Sequence, residues 1–167
     1  MEINSSKPNY DVISPDRVLF RPRFSIRLLF NTLLLIGAYV FIFTMSAQTG
    51  EISGRLSARI TAFFVSRDSR GFELFHTLLR KAAHVSEFAC LFILWYAWMQ
   101  EADGSAPLLI RIGLPWCVTA LSALLDEGHQ LLVAGRSGCL TDVLIDLSGV
   151  TILALILLLY RRRYKRE

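Results

Sequence analysis

Charge is what this chain has least of. Only 19% of its 167 residues are charged, against roughly 25% in soluble domains. Hydrophobic residues make up 53%, and the mean hydropathy is +0.45. These values read as an integral membrane protein. Linkers rich in Gly, Ser or Pro are missing, and so is any internal repeat, which makes one domain the natural count at this length. Cysteine is scarce and odd in number: Cys90 and Cys117 fall in apolar runs and Cys139 in a polar one, which argues against a disulfide framework. Two catalytic signatures are absent. There is no GxSxG, and HVSE (His84 to Glu87) lacks the second His that a zinc-protease helix needs four residues from the first.

What the chain does have is four long apolar runs, at 28–45, 82–99, 107–125 and 143–160. Each approaches the roughly 20 residues that a helix needs to cross a bilayer. They are too long and too continuously apolar for the alternating strands of a membrane barrel. The expected fold is all-α, a four-transmembrane-helix bundle, with residues 24–167 as the membrane domain and 1–23 as a flexible cytoplasmic tail that is too polar and arginine-rich for a simple cleavable signal. After the first span, ISGRLSARITAFF repeats apolar residues at Ile52, Leu56, Ile60 and Phe63, with Arg55 and Arg59 off that stripe. This fits a short amphipathic helix lying on the membrane, as an anchor or as a lip over a site. Trp95, Tyr96, Trp98 and Trp116 are expected in interfacial belts and in lipid contact, and His76 at an interface. Arg17, Arg21, Arg23 and Arg27 precede the first span, and Arg161, Arg162, Arg163, Lys165 and Arg166 follow the last, so both termini are expected in the cytoplasm. The terminal RRRYKR abuts a span and reads as a patch for anionic lipid, not nucleic acid.

Most of the polar residues that interrupt or flank these runs cluster at one end. Ser46 and Gln48 follow the first span, Lys81, His84 and Glu87 open the second, Asp126, Glu127, His129 and Gln130 close the third, and Asp142 and Asp146 open the fourth. Alternation of four spans puts all of these on one side of the membrane. Gln100, Glu101, Asp103 and Arg111 fall on the other. Uncharged residues number only 12 from Phe88 to Met99 and 14 from Leu147 to Tyr160, too few to span alone, so His84, Glu87 and Asp146 must sit within the membrane's outer part or line a watered cavity there. A charge in such a place costs roughly 2.5–3.5 kcal/mol on insertion scales. The ionisable groups should therefore face one another, and their three- and four-residue spacings put His84 with Glu87, Asp126 with Gln130 and Asp142 with Asp146 on common helix faces. AGRSG supplies a tight reversal and projects Arg136 into the same polar funnel.

Three blocks carry a resemblance: FTMSAQTGEISGRLS (Phe43 to Ser57), RKAAHVSEFACLF (Arg80 to Phe92) and LLDEGHQLLVAGRSGCLTDVLIDLSGV (Leu124 to Val150). With them the chain resembles the VanZ-like membrane protein family, departing at Ala134, where Pro is common, and at Phe88, where Tyr is common. The resemblance implies a small multi-pass protein of the bacterial inner membrane. The family's name comes from a member linked to glycopeptide antibiotic resistance.

The chemistry admits several uses. Glu87, Asp126, Glu127, His129 and Asp142 are candidate catalytic groups, and Ser46, Gln48, Lys81, His84, Gln130, Arg136 and Asp146 candidate binding groups, for an extracytoplasmic lipid head group or lipid-linked cell-wall precursor. Arg136 suits a bidentate grip on phosphate or carboxylate. Binding without reaction, a small transporter or a proton relay would use the same residues. So would polar pairing that only fixes helix packing. The bilayer is the one partner that composition itself requires. No nucleic-acid partner is expected, and cofactor, metal and oligomeric state are left unassigned.

Overall fold

The computed structural model describes residues 25–164. The N-terminal tail, with Arg17, Arg21 and Arg23, and the terminal Lys165 and Arg166 lie outside the described residues. Five helices follow one another: α1 (Ile26–Ser46), α2 (Gly50–Phe64), α3 (Phe72–Ala102), α4 (Leu108–Gln130) and α5 (Leu140–Tyr164). Among the described residues there is no strand, and four helices, all but α2, are long and apolar enough to cross a membrane. The four-helix membrane bundle expected from the apolar runs is the architecture observed.

Local signals set the ends. The Ser25 hydroxyl accepts the amide of Leu28 at 3.1 Å and so starts α1, and Thr49 caps α2 in the same way on Ile52. Between α3 and α4, Asp103 accepts from the amide and the hydroxyl of Ser105, closing the turn that precedes Pro107.

The helices outrun the apolar segments, because hydropathy bounds what lies in lipid and not what is helical. The second span begins ten residues earlier than the run at 82, at Phe72, and at 31 residues α3 is about 46 Å long. Its N-terminal part is held by α2: His76 lies 2.7 Å from the Ser57 hydroxyl and stacks on Phe72. α4 runs on through Asp126 to Gln130, and α5 starts at Leu140, ahead of Val143.

Packing centres on α3, with Phe88, Leu91 and Phe92 buried against Leu35 and Ile42 of α1, Ala123 of α4 and Val143 and Val150 of α5. Lipid is as apolar as these side chains, so close fit and buried hydrogen bonds hold the helices together. Gly149 shows the fit. A Cβ there would collide with Val85 Cγ1, so its absence lets α5 close on α3. The tryptophans also tie helices together. Trp95, Trp98 and Trp116 are half-buried and donate to Tyr39, Thr32 and Thr151 on neighbouring helices, while Tyr96 is buried. An indole N–H in the apolar interior needs an acceptor, and a hydroxyl on the next helix supplies it. α2 keeps its amphipathic character: Ile52, Leu56, Ile60 and Phe63 are exposed, and Ser53, Ser57 and Thr61 turn inward.

Candidate functional site

Two loops meet at one end of the bundle, and their junction builds the site. The α4–α5 loop turns at Gly135, whose φ of 73° is the one positive value among the described residues. That turn lets the Gly50 amide reach the Ala134 carbonyl at 3.1 Å, an approach so close that a Cβ on Gly50 would overlap the Gly135 carbonyl. Arg136 locks the junction. Its Nε donates to the Gln48 carbonyl at 3.0 Å and its Nη2 to the Met45 carbonyl at 2.9 Å, binding the chain at the C-terminal end of α1, where the Met45 carbonyl also accepts the Gln48 amide. Glu127 serves a matching purpose for α5, accepting the Cys139 amide on Oε2 at 2.9 Å, just ahead of the helix's first turn.

Two chambers open around this junction. The first, of about 220 Å³, lies between α3, α4 and α5 and is lined by Lys81, Glu127, Gln130, Ser137, Asp142 and Asp146, among others. The second, of about 320 Å³, lies between α1, α2 and α3. Phe41, Ile42, Leu56, Ile60, Leu79 and Ala83 give it apolar walls, and Ser46, Gln48, Glu87 and Asp126 a polar floor. Arg80, His84 and Arg136 line both chambers, so they form the wall between them.

Within this arrangement some charges are matched and others are not. Lys81 Nζ sits 2.9 Å from Asp142 Oδ1, a half-exposed pair of the kind worth at most about 1 kcal/mol. Gln130 donates to Asp126 Oδ2 at 2.8 Å. Asp126 Oδ1, Asp146 Oδ2 and His84 Nδ1, however, are buried and have no hydrogen-bond partner among the described residues, and both aspartates are only 2% exposed. Such atoms cost about 1–3 kcal/mol each if nothing meets them. Among the described residues, neither Arg80 nor Arg136 has a carboxylate within salt-bridge distance. Burial and the charge of Arg80 push the Arg136 guanidinium below its ordinary value. A guanidinium keeps its proton regardless. The shared wall therefore carries two neighbouring cations that, among the described residues, no carboxylate contacts directly, although Asp126, Glu127 and Glu87 act on Arg136 from farther off. No group of three or more His, Cys, Asp or Glu among the described residues could hold a metal ion.

A family model described as VanZ/LLP1 matches residues 30–161, which takes in most of α1 and α5, all of the helices between them and both loops of the site. The chain belongs to the VanZ/LLP1 family. No curated protein and no solved structure matches it.

Eleven of the twelve residues singled out from the sequence line one chamber or the other. Ser46, Gln48, Glu87 and Asp126 line the apolar-walled chamber alone, Lys81, Glu127, Gln130, Asp142 and Asp146 the polar one alone, and His84 and Arg136 both. His129 lies outside both: its Nδ1 is 3.3 Å from Ser46 Oγ, and its ring stands edge-on to Phe43, so it ties α4 to α1. Arg136 uses Nε and Nη2 on backbone carbonyls, which leaves Nη1 for a ligand. Arg80, which lines both chambers, was not among the residues singled out from the sequence. Its spacing held the signal, because Arg80, His84 and Glu87 at i, i+4 and i+7 share a helix face once α3 is known to start upstream of them.

Proposed function

We propose that this VanZ/LLP1 protein is a multi-pass protein of the bacterial inner membrane with both termini in the cytoplasm. Its two chambers open on the extracytoplasmic side and bind or act on the head group of an envelope lipid or lipid-linked cell-wall precursor. One observation carries the reading. Among the described residues, Arg80 and Arg136 meet at the wall between the chambers without a carboxylate in salt-bridge contact, while buried Asp126, Asp146 and His84 each keep a polar atom unbonded. The arginines call for an acidic group, and the aspartate oxygens for hydroxyl or ammonium donors. A phosphate-bearing head group offers both. The basic ends of the first and last spans support the orientation, since such residues collect on the cytoplasmic side.

If the head group is turned over, His84, Glu87 and Asp126 are placed around the shared wall to move its protons. Lys81 and Asp142 flank the polar chamber, and Glu127 holds α5 in position. In the second use of the same geometry, the head group is retained and shielded without reaction. The glycopeptide-resistance role of the family's namesake fits either, because a cell-wall precursor is what such antibiotics engage.

The test is binding and turnover by protein purified in mild detergent, with anionic phospholipids and lipid-linked precursors as probes. Saturable binding that Asp146→Asn and Asp126→Asn weaken, in protein of wild-type stability, supports the site. New products separate an enzyme from a binder. Wild-type affinity in both variants would sink the assignment. Proton flux in reconstituted vesicles, lost in the same variants, would replace it with a relay.

A further inference from the structure

The two chambers differ in kind, and their order along the molecule says more than either does alone. From the lipid side inward, the first walls met are apolar, from Ile42 of α1, Leu56 and Ile60 of α2 and Ala83 of α3. Leu56 and Ile60 line the chamber and are nonetheless almost half exposed, so it is open along the flank of the bundle, where acyl chains lie. Next comes the shared wall, with Arg80 and Arg136. Beyond it, the polar chamber is lined by the buried Asp146, whose Oδ2 has no donor among the described residues. Apolar surface, two cations common to both chambers and the orphaned Asp146 acceptor thus line adjoining chambers in that order, with Glu87 and Asp126 at the polar floor of the first.

We infer that the ligand is an amphiphile taken laterally from the bilayer. Its hydrocarbon chain lies in the crevice between α1, α2 and α3, its acidic group at Arg80 and Arg136, and its hydroxyl- or ammonium-bearing remainder in the polar chamber against Asp146. This rests on the head-group reading above and adds to it a direction of entry, a place for the chain and a fixed order of groups. The order excludes two ligand types. A free phosphate or a soluble phosphosugar leaves the apolar crevice unused, and a neutral diacylglycerol offers nothing to the arginines. α2 then has a purpose beyond anchoring. Held to α3 through Ser57 and His76, it presents Leu56 and Ile60 as the wall against which the chain lies.

The experiment compares two probes on the full chain in detergent: dioleoyl phosphatidylglycerol, and glycerol phosphate, which has the acidic group and hydroxyls without the chains. Ala83→Trp fills the crevice from α3, and Leu56→Trp fills it independently from α2. Each exchanges one apolar side chain for another on a lipid-facing surface. The expected result is a loss of ten-fold or more in phosphatidylglycerol affinity in both variants, with glycerol phosphate affinity unchanged. Undiminished phosphatidylglycerol affinity in both, or equal losses for the two probes, overturns the placement of the chain and leaves the head-group reading standing. If wild-type protein binds neither probe, the head-group reading falls and the chain assignment falls with it.

Discussion

Arg136 ties two loops together with one side chain, and its removal has a calculable consequence. The guanidinium makes hydrogen bonds of 2.9 and 3.0 Å to the Met45 and Gln48 carbonyls. A hydrogen bond to a charged group contributes about 1.5–3 kcal/mol. The junction is partly open to water, so the lower value applies to each, and Arg136→Ala should cost about 3 kcal/mol. Arg136→Lys should cost about half of that, since one ammonium on a flexible stem reaches one carbonyl where the planar fork reaches two. A competing effect has the opposite sign: removing one of two adjacent cations relieves repulsion. Arg80→Gln isolates it, because Arg80 makes no hydrogen bond among the described residues, and this variant should be neutral or stabilising. Equilibrium unfolding in mixed micelles, followed by circular dichroism, gives the three values. The expected order is Arg80→Gln at or above wild type, then Arg136→Lys, then Arg136→Ala. Refutation would be an Arg136→Ala protein within about 0.5 kcal/mol of wild type, or a Lys variant no better than the Ala variant.

Further outcomes follow from the same geometry. Glu127→Gln keeps an oxygen for the Cys139 amide and should stay within about 1 kcal/mol of wild type, whereas Glu127→Leu removes the cap and should cost about 1–2 kcal/mol in the same unfolding assay. Gly149→Ala places a Cβ against Val85 and should cost about 1–3 kcal/mol; Val85→Ala in the same chain should recover most of that loss, and no recovery would mean α3 and α5 do not meet there. The Cys139 thiol, exposed and 3.0 Å from the Thr141 hydroxyl, is held below the ordinary cysteine range by hydrogen bonds from Thr141. A lower value means more thiolate at a given pH, so Thr141→Val should move the inflection of its alkylation rate to higher pH, as read by mass spectrometry of Cys139 peptides. An unmoved inflection would show that the hydroxyl does not stabilise the thiolate.

Span number and the end of the bundle that carries the polar groups were legible in the sequence, because both follow from chain geometry alone. Apolar runs near 20 residues give helices in lipid, and alternation of four spans brings Gln48, His84, Asp126 and Asp142 to one side whatever the packing. Helix limits were less legible. Nothing in hydropathy marks Phe72 as the start of α3, since the turns from Phe72 to Lys81 are stabilised by α2 through Ser57 and His76, a contact between residues 19 apart. Arg80 was overlooked for the same reason.

The sequence by itself determined that this chain must hide ionisable groups in a membrane and that helical spacing would let them face one another. Only the tertiary structure decided how they divide. Whether a buried carboxylate is satisfied depends on which backbone amide comes within 3 Å, and that is settled by loop closure at Gly50 and Gly135. The closure gives Glu127 the Cys139 amide and Arg136 two carbonyls of α1. It leaves Asp126, Asp146 and His84 with unmet atoms beside an arginine pair. A side chain's chemistry is written in the sequence, but its unspent hydrogen bonds are a property of the neighbours that folding gives it.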